Sequence, residues 1–195
     1  MSTHQERRQQ MPNSHIQDSA DSFKAAWDLL GIQNPGSGFV LPQINVGAIA
    51  IELYLKSLSA FMIHTPDTAR QTKLDDSTGG SEKNFEEGTL TVVTAKPTQL
   101  GHGLTTLFET IDADIQEDIK FAFLSKCHTS KYSFPEALAA LEGAYIESRY
   151  SFELGHDISR YNLKNIENVV QLLHDFVSEM EVREFISFHN QKQER

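Results

Sequence analysis

The sequence predicts an all-α protein, an antiparallel helical bundle with a small loop or β-hairpin insertion. Apolar residues recur at three- and four-residue spacing over several stretches, which is the pattern of helices that bury one face. This period vanishes between about residues 65 and 99, where turn-forming residues surround a short β-branched run. We therefore expect one helical domain over residues 20–190, preceded by a poorly ordered polar arm at residues 1–19.

Composition limits the possible functions of the chain. Its 195 residues are enough for one domain with a proper core. The one cysteine, Cys127, cannot form an internal disulfide, which favours a reducing cytoplasmic setting. The most apolar run, Ile44–Ile63, contains Glu52 and Lys56, so we expect a core helix and not a membrane span. The net charge of −10 disfavours a broad electrostatic surface for nucleic acid, so any RNA contact must be local.

The first half of the chain predicts two helices and a strand. The first helix begins at Ala20 or Asp21 and ends at Leu30, because Gly31 is a typical helix stop. The second helix spans Ile44 to Ile63. Its seam repeats at alternating four and three residues, through Ile44, Ala48, Ile51, Leu55, Leu58 and Met62. The β-branched run Thr89–Ala95 predicts a strand or half of a hairpin.

The second half predicts three or four more helices. Short helices follow Gly103 and span Asp114–Ser125, unless the two form one bent helix. Ser133 and Glu136 form a capping box that begins the next helix. That helix is expected to bury Phe134, Leu138, Leu141, Tyr145 and Phe152. The last helix is predicted over Tyr161–Phe188.

Arg149 and His156 are the strongest candidates for catalysis. They bracket the junction before the last helix, where a forked guanidinium and a proton-transferring imidazole can converge on one anionic group. The structural alternative is an ion pair between Arg149 and Glu153 on a solvated face.

Three further polar residues have both a structural and a functional interpretation. Glu52 and Lys56 lie four apart on one helix, where they form either a surface ion pair or the edge of a site. His102 stands between two glycines at a helix entrance, as a cap, a partner for a carbonyl or a second site histidine. Zinc patterns, phosphate-binding glycine loops and serine nucleophile motifs are missing from the sequence.

Three segments together resemble the HEPN domains, all-α modules of toxin–antitoxin pairs, abortive-infection proteins and RNA-processing systems. These segments are AIELYLKSL in the early helix, GHGLTTLF at a later helix start and SRYSFELGHD before the last helix. The resemblance covers roughly Ala20 to Phe188, and Arg149 and His156 match the family's motif of an Arg and a His with four to six intervening residues.

The resemblance implies a metal-independent endoribonuclease that acts as a homodimer, with no metal or other cofactor and with an antitoxin as a possible partner. It gives His156 the proton transfer and Arg149 the phosphate, while Glu52 and Lys56 orient Arg149 or touch RNA. We group His102 and Tyr150 with that substrate-binding or orienting set. Tyr150 stands where catalytic members often have Asn, Asp or His. The alternative is therefore a non-catalytic helical module that binds a nucleotide or a protein partner.

Overall fold

The computed structural model describes residues 4–32, 38–66, 91–96, 101–128, 130–150 and 158–190. The seven helices of these ranges are α1 (Ser14–Gly31), α2 (Val40–Ser57), α3 (Leu104–Glu109), α4 (Ala113–Lys126), α5 (Phe134–Ala139), α6 (Ala144–Arg149) and α7 (Leu163–Glu179). The four strands are β1 (His4–Met11), β2 (Phe61–Pro66), β3 (Thr91–Lys96) and β4 (Arg183–Asn190). A 3-10 turn spans Ile158–Arg160. The prediction of a mainly helical protein with a β-hairpin insertion is confirmed.

Helix α2 is the centre of the bundle. It packs against α1, α6 and α7, so apolar side chains are buried on most of its circumference. Five of the six predicted seam residues are buried: Ile44, Ala48, Ile51 and Leu55 in the helix, and Leu58 just beyond it. The sixth, Met62, lies in β2. A helix surrounded by others loses a solvated face, which explains why its sequence is apolar nearly all round.

The strands form one antiparallel sheet in the order β3-β2-β1-β4. The predicted hairpin is its β2–β3 pair, in register from Phe61 opposite Lys96 to Pro66 opposite Thr91. Strand β1 also pairs with β4, from His4 opposite Asn190 to Met11 opposite Arg183. The hairpin is thus extended by strands from both ends of the described chain.

The N-terminal region differs from the expected poorly ordered arm of residues 1–19. Residues His4–Met11 form β1, and α1 begins at Ser14, six residues before the predicted start at Ala20. Asn13 caps α1 by accepting the N–H of Ile16. The polar sequence of β1 gives little strand signal of its own, and the strand exists because β2 and β4 supply partners for its backbone on both sides.

Three predicted helices end earlier than expected. Helix α2 ends at Ser57 and α7 at Glu179, where the sequence pattern predicted Ile63 and Phe188, because β2 and β4 follow. Short apolar runs fit helix and strand equally well, and only the distant pairing partner decides between them. The helix that begins with the confirmed capping box of Ser133 and Glu136 also divides into α5 and α6. Gly143, with a φ of 83°, lies between them.

Candidate functional site

A cleft of about 180 Å³ opens between α2, the segment before α3 and the turn that joins α5 to α6. Its walls are mainly apolar, and its polar groups are Glu52, His102 and Glu142. The apolar part is formed by Ala48, Leu104, Leu141, Ala144, Ile146 and the Tyr145 ring. The cleft therefore combines an apolar interior with a few polar side chains, which is the usual make-up of a small ligand site.

Glu52 is the acceptor that joins two sides of the cleft. Its side chain is only 8% exposed, and its Oε1 lies 2.5 Å from Lys56 Nζ. Its Oε2 lies 2.9 Å from His102 Nδ1, fifty residues further along the chain. The predicted Glu52–Lys56 pair is therefore present as a buried pair that also holds a histidine.

His102 is held at one ring nitrogen and is half-exposed, at 51% of its side chain. Because carboxylate oxygens only accept hydrogen bonds, the Glu52 contact places a hydrogen on Nδ1. In the neutral ring Nε2 is then the acceptor, and it has no hydrogen-bond partner within the described ranges. Glu52 thus fixes both the tautomer and the orientation of His102.

Arg149 lies at the end of α6 between two tyrosines. Its Nη1 donates to the Tyr145 hydroxyl at 2.6 Å. Its guanidinium carbon lies 5.3 Å from the ring centroids of both Tyr145 and Tyr150, within cation–π range. Tyr145 also contacts His102, because their ring centroids are 5.0 Å apart. The tyrosine ring therefore links Arg149 to His102.

Two side chains fix the elements that carry this cluster. Asn45 on α2 donates from Nδ2 to the Tyr145 carbonyl and to Ser148 Oγ, both at 3.1 Å, which holds α6 against α2. Glu142 Oε2 accepts from the Thr105 N–H at 3.3 Å and from its hydroxyl at 3.1 Å. These bonds hold the first turn of α3, and with it the segment that contains His102.

The structure brings five of the six predicted site residues into one series of contacts. The series runs through Lys56, Glu52, His102, Tyr145, Arg149 and Tyr150. The sixth residue, His156, lies outside the described residues, as does Glu153, the alternative partner of Arg149.

Two residues of the cleft are not predicted as site residues from the sequence. The apolar pattern predicts Tyr145 only as a core residue, although its position four residues before Arg149 places both on one helix face. Glu142 gave no signal, because it lies in the turn between α5 and α6, which the sequence predicted as one continuous helix.

A second polar cluster joins α1, α2 and α7. The Tyr54 hydroxyl donates to Asp21 Oδ1 at 2.6 Å and lies 3.0 Å from His174 Nδ1. Burial, followed by the hydrogen bond to Asp21, raises the pKa of Tyr54 above its ordinary value. The cluster therefore keeps Tyr54 neutral and satisfies its hydroxyl inside the bundle.

Comparisons with known proteins show no match: neither a family model, nor a curated protein, nor a solved structure is similar to this chain. The helices in the described ranges are too short or too polar to cross a membrane. In the same ranges no three His, Cys, Asp or Glu side chains are grouped so that they could hold a metal ion.

Proposed function

We propose that this chain is a HEPN-like, metal-independent endoribonuclease that cleaves RNA beside a phosphate bound by Arg149. The observation that carries the proposal is that His102, held by the buried Glu52, lies beside Tyr145, which in turn contacts Arg149. A histidine with a fixed tautomer and a forked cation, both in contact with Tyr145, are suited to phosphodiester chemistry.

In the proposed reaction, the 2′-oxygen of a ribose attacks the adjacent phosphorus as His102 Nε2 takes its proton. The bond from phosphorus to the 5′-oxygen of the next nucleotide breaks, and His156 gives that oxygen a proton. Arg149 stabilises the charge that develops on the other phosphate oxygens. The products are a 2′,3′-cyclic phosphate and a 5′-hydroxyl, so RNA supplies its own nucleophile.

The alternative is a non-catalytic HEPN-like module that binds a nucleotide or a protein partner through the same cleft. Tyr150 favours it, because this ring covers the guanidinium of Arg149 where catalytic members often have a small polar residue. The net charge of −10 also favours a small ligand over a long RNA.

We propose further that the protein acts in the cytoplasm as a homodimer, with its two Arg and His sets facing each other across a groove. This arrangement, together with control by an antitoxin in a toxin–antitoxin or abortive-infection system, follows from the resemblance to HEPN domains. Sedimentation analysis of the purified protein tests the dimer, and a single monomeric species at assay concentrations would contradict it.

The nuclease proposal is tested by incubating purified protein with a mixed RNA pool in EDTA. We expect the parent to leave 2′,3′-cyclic phosphate ends, and Arg149→Ala, His102→Ala and His156→Ala each to lose about 10²-fold or more in rate. His128→Ala is the matched control, since this exposed histidine contacts only the Leu124 carbonyl among the described residues. It should cleave like the parent.

Circular dichroism shows whether each variant is folded, so that lost activity is not confused with lost structure. Cleavage by all three variants at the parental rate would assign the activity to another protein in the preparation. No cleavage by the folded parent would overturn the nuclease and favour the binding module.

A further inference from the structure

The size of the cleft limits what can enter it. Pockets that hold drug-sized ligands span about 300–1,000 Å³. The cleft here measures about 180 Å³, which is room for one planar ring system and not for a whole nucleotide. Its apolar walls, from Ala48 on α2 to Leu141 and Ala144 across the turn, suit the two faces of such a ring.

One acceptor beside the cleft has no donor among the residues that the structure describes. Glu142 Oε2 is bound by Thr105, but Oε1 has no hydrogen-bond partner in the part of the chain that the structure describes. Oε1 would be 3.3 Å from a methyl group added to Gly103, which lines the cleft. A carboxylate oxygen beside the cleft can accept a hydrogen bond from the N–H group of a ligand.

Tyr145 links the cleft to the proposed phosphate site at Arg149. Tyr145 and His102 both line the cleft, and the Tyr145 hydroxyl accepts the hydrogen bond of Arg149. A ring in the cleft that belongs to a nucleotide would therefore place its sugar and phosphate beside His102 and Arg149.

We propose that the cleft binds one unstacked nucleobase that carries an exocyclic amino group, next to the phosphate held by Arg149. Adenine, cytosine and guanine each offer an amino group to Glu142 Oε1. Uracil has no amino group. Its one N–H on that edge lies between two carbonyl oxygens, and a carboxylate repels those oxygens. A base must leave its helix to enter, so the substrate is single-stranded RNA. This inference rests on the proposed function for its substrate class.

The test measures binding of the four 3′-nucleoside monophosphates by isothermal titration calorimetry. We expect adenosine, cytidine and guanosine monophosphates to bind about tenfold or more tightly than uridine monophosphate, the usual effect of one hydrogen bond to a charged group. Glu142→Gln should remove most of this preference without weakening uridine monophosphate. Arg149→Ala should weaken all four alike.

Glu109→Gln is the matched control, because it removes the same charge from an exposed residue at the end of α3 that does not line the cleft. Its nucleotide preference should be parental. Equal affinity for all four nucleotides, no binding of any, or an unchanged preference in folded Glu142→Gln would overturn the base site.

The two proposals fail separately. A base preference that depends on Glu142, in a protein that does not cleave RNA, keeps the base site and overturns the nuclease. Cleavage of RNA without any base preference in binding keeps the nuclease and overturns the base site.

Discussion

Glu52 is the residue on which the geometry of the site depends. One carboxylate accepts from Lys56 on its own helix and from His102 on another segment, and its burial strengthens both contacts. The sequence offered a surface ion pair and a site residue as alternatives for Glu52. The structure shows the pair with Glu52 buried instead of on the surface, and with His102 as a second partner of the same carboxylate.

Replacing Glu52 by Gln tests this role. The amide keeps the size of the side chain but loses the charge, so His102 is no longer held in one tautomer. We expect the single-turnover cleavage rate to fall by about 10–100-fold, with little change in KM. The free energy of unfolding in urea should fall by about 1–3 kcal/mol, because Lys56, only 16% exposed, loses its counter-charge.

Asp28→Asn provides the control for stability. It breaks the Lys24–Asp28 pair, which has the same four-residue spacing but an Asp28 side chain that is 53% exposed. We expect a change below about 0.5 kcal/mol and parental cleavage. If folded Glu52→Gln cleaved as fast as the parent, His102 would have no catalytic dependence on Glu52.

At the scale of elements, α2 couples the core to the site. One part of the helix carries Glu52 and Lys56, and Asn45 on the same helix holds α6, which ends at Arg149. Any shift of α2 against its neighbours therefore moves both halves of the cleft. Gly47 sets the closest of these packings.

Gly47→Ala tests that packing. An added Cβ would lie 2.6 Å from Ile166 Cγ2 on α7 and 2.7 Å from Trp27 Cε3 on α1. Alanine favours a helix interior by about 1 kcal/mol over glycine, but the clash with a ring and a branched side chain costs more. We expect a net loss of about 1–2 kcal/mol in urea unfolding.

Gly31→Ala is the comparison, since among the described residues its Cβ would meet only the flexible end of Gln43, at 3.1 Å. We expect its stability to lie within about 0.5 kcal/mol of the parent. A Gly47→Ala protein as stable as the parent would show that α1 and α7 move apart at little cost.

At the scale of the whole molecule, the net negative charge disfavours RNA binding, whereas the proposed site binds a phosphate. The chain carries a net charge of −10, and beside the cleft Lys56 is already paired with Glu52. Arg149, which contacts two tyrosines, is therefore the cation that we propose meets a phosphate. A protein of this charge repels the RNA backbone outside such a site. RNA contact should therefore be confined to one or two phosphates.

The salt dependence of RNA binding measures this confinement. For single strands each neutralised phosphate contributes about −0.7 to the slope of log K against log salt concentration. We expect a slope between about −0.7 and −1.4 for labelled single-stranded RNA and the non-cleaving His156→Ala protein, followed by fluorescence anisotropy. Adding Arg149→Ala to this protein should make the slope less negative by about 0.7.

Arg183→Ala supplies the control for this measurement, because Arg183 pairs with Asp114 and does not line the cleft. It should leave the slope unchanged. A slope steeper than about −3 would require an extended basic surface, which contradicts a local site.

The sequence by itself determined the helical bundle, the hairpin insertion and two polar residues of the cleft, Glu52 and His102. Burial of one face imposes a helical period on the residues of α7, and a period is readable without knowing what covers it. The capping box at Ser133 is equally local, since both partners lie within one turn. Residue type alone also marked Arg149, His102, Glu52 and Lys56 as candidates.

Only the tertiary structure decided where the elements end and how these residues meet. Strands β1 and β4 pair although they lie at opposite ends of the chain, and such pairing leaves no local pattern. The contact of His102 with Glu52 likewise spans fifty residues and depends on how the segment before α3 packs on α2. Sequence fixes which side chains are available, whereas the distances that make them a site arise from long-range packing.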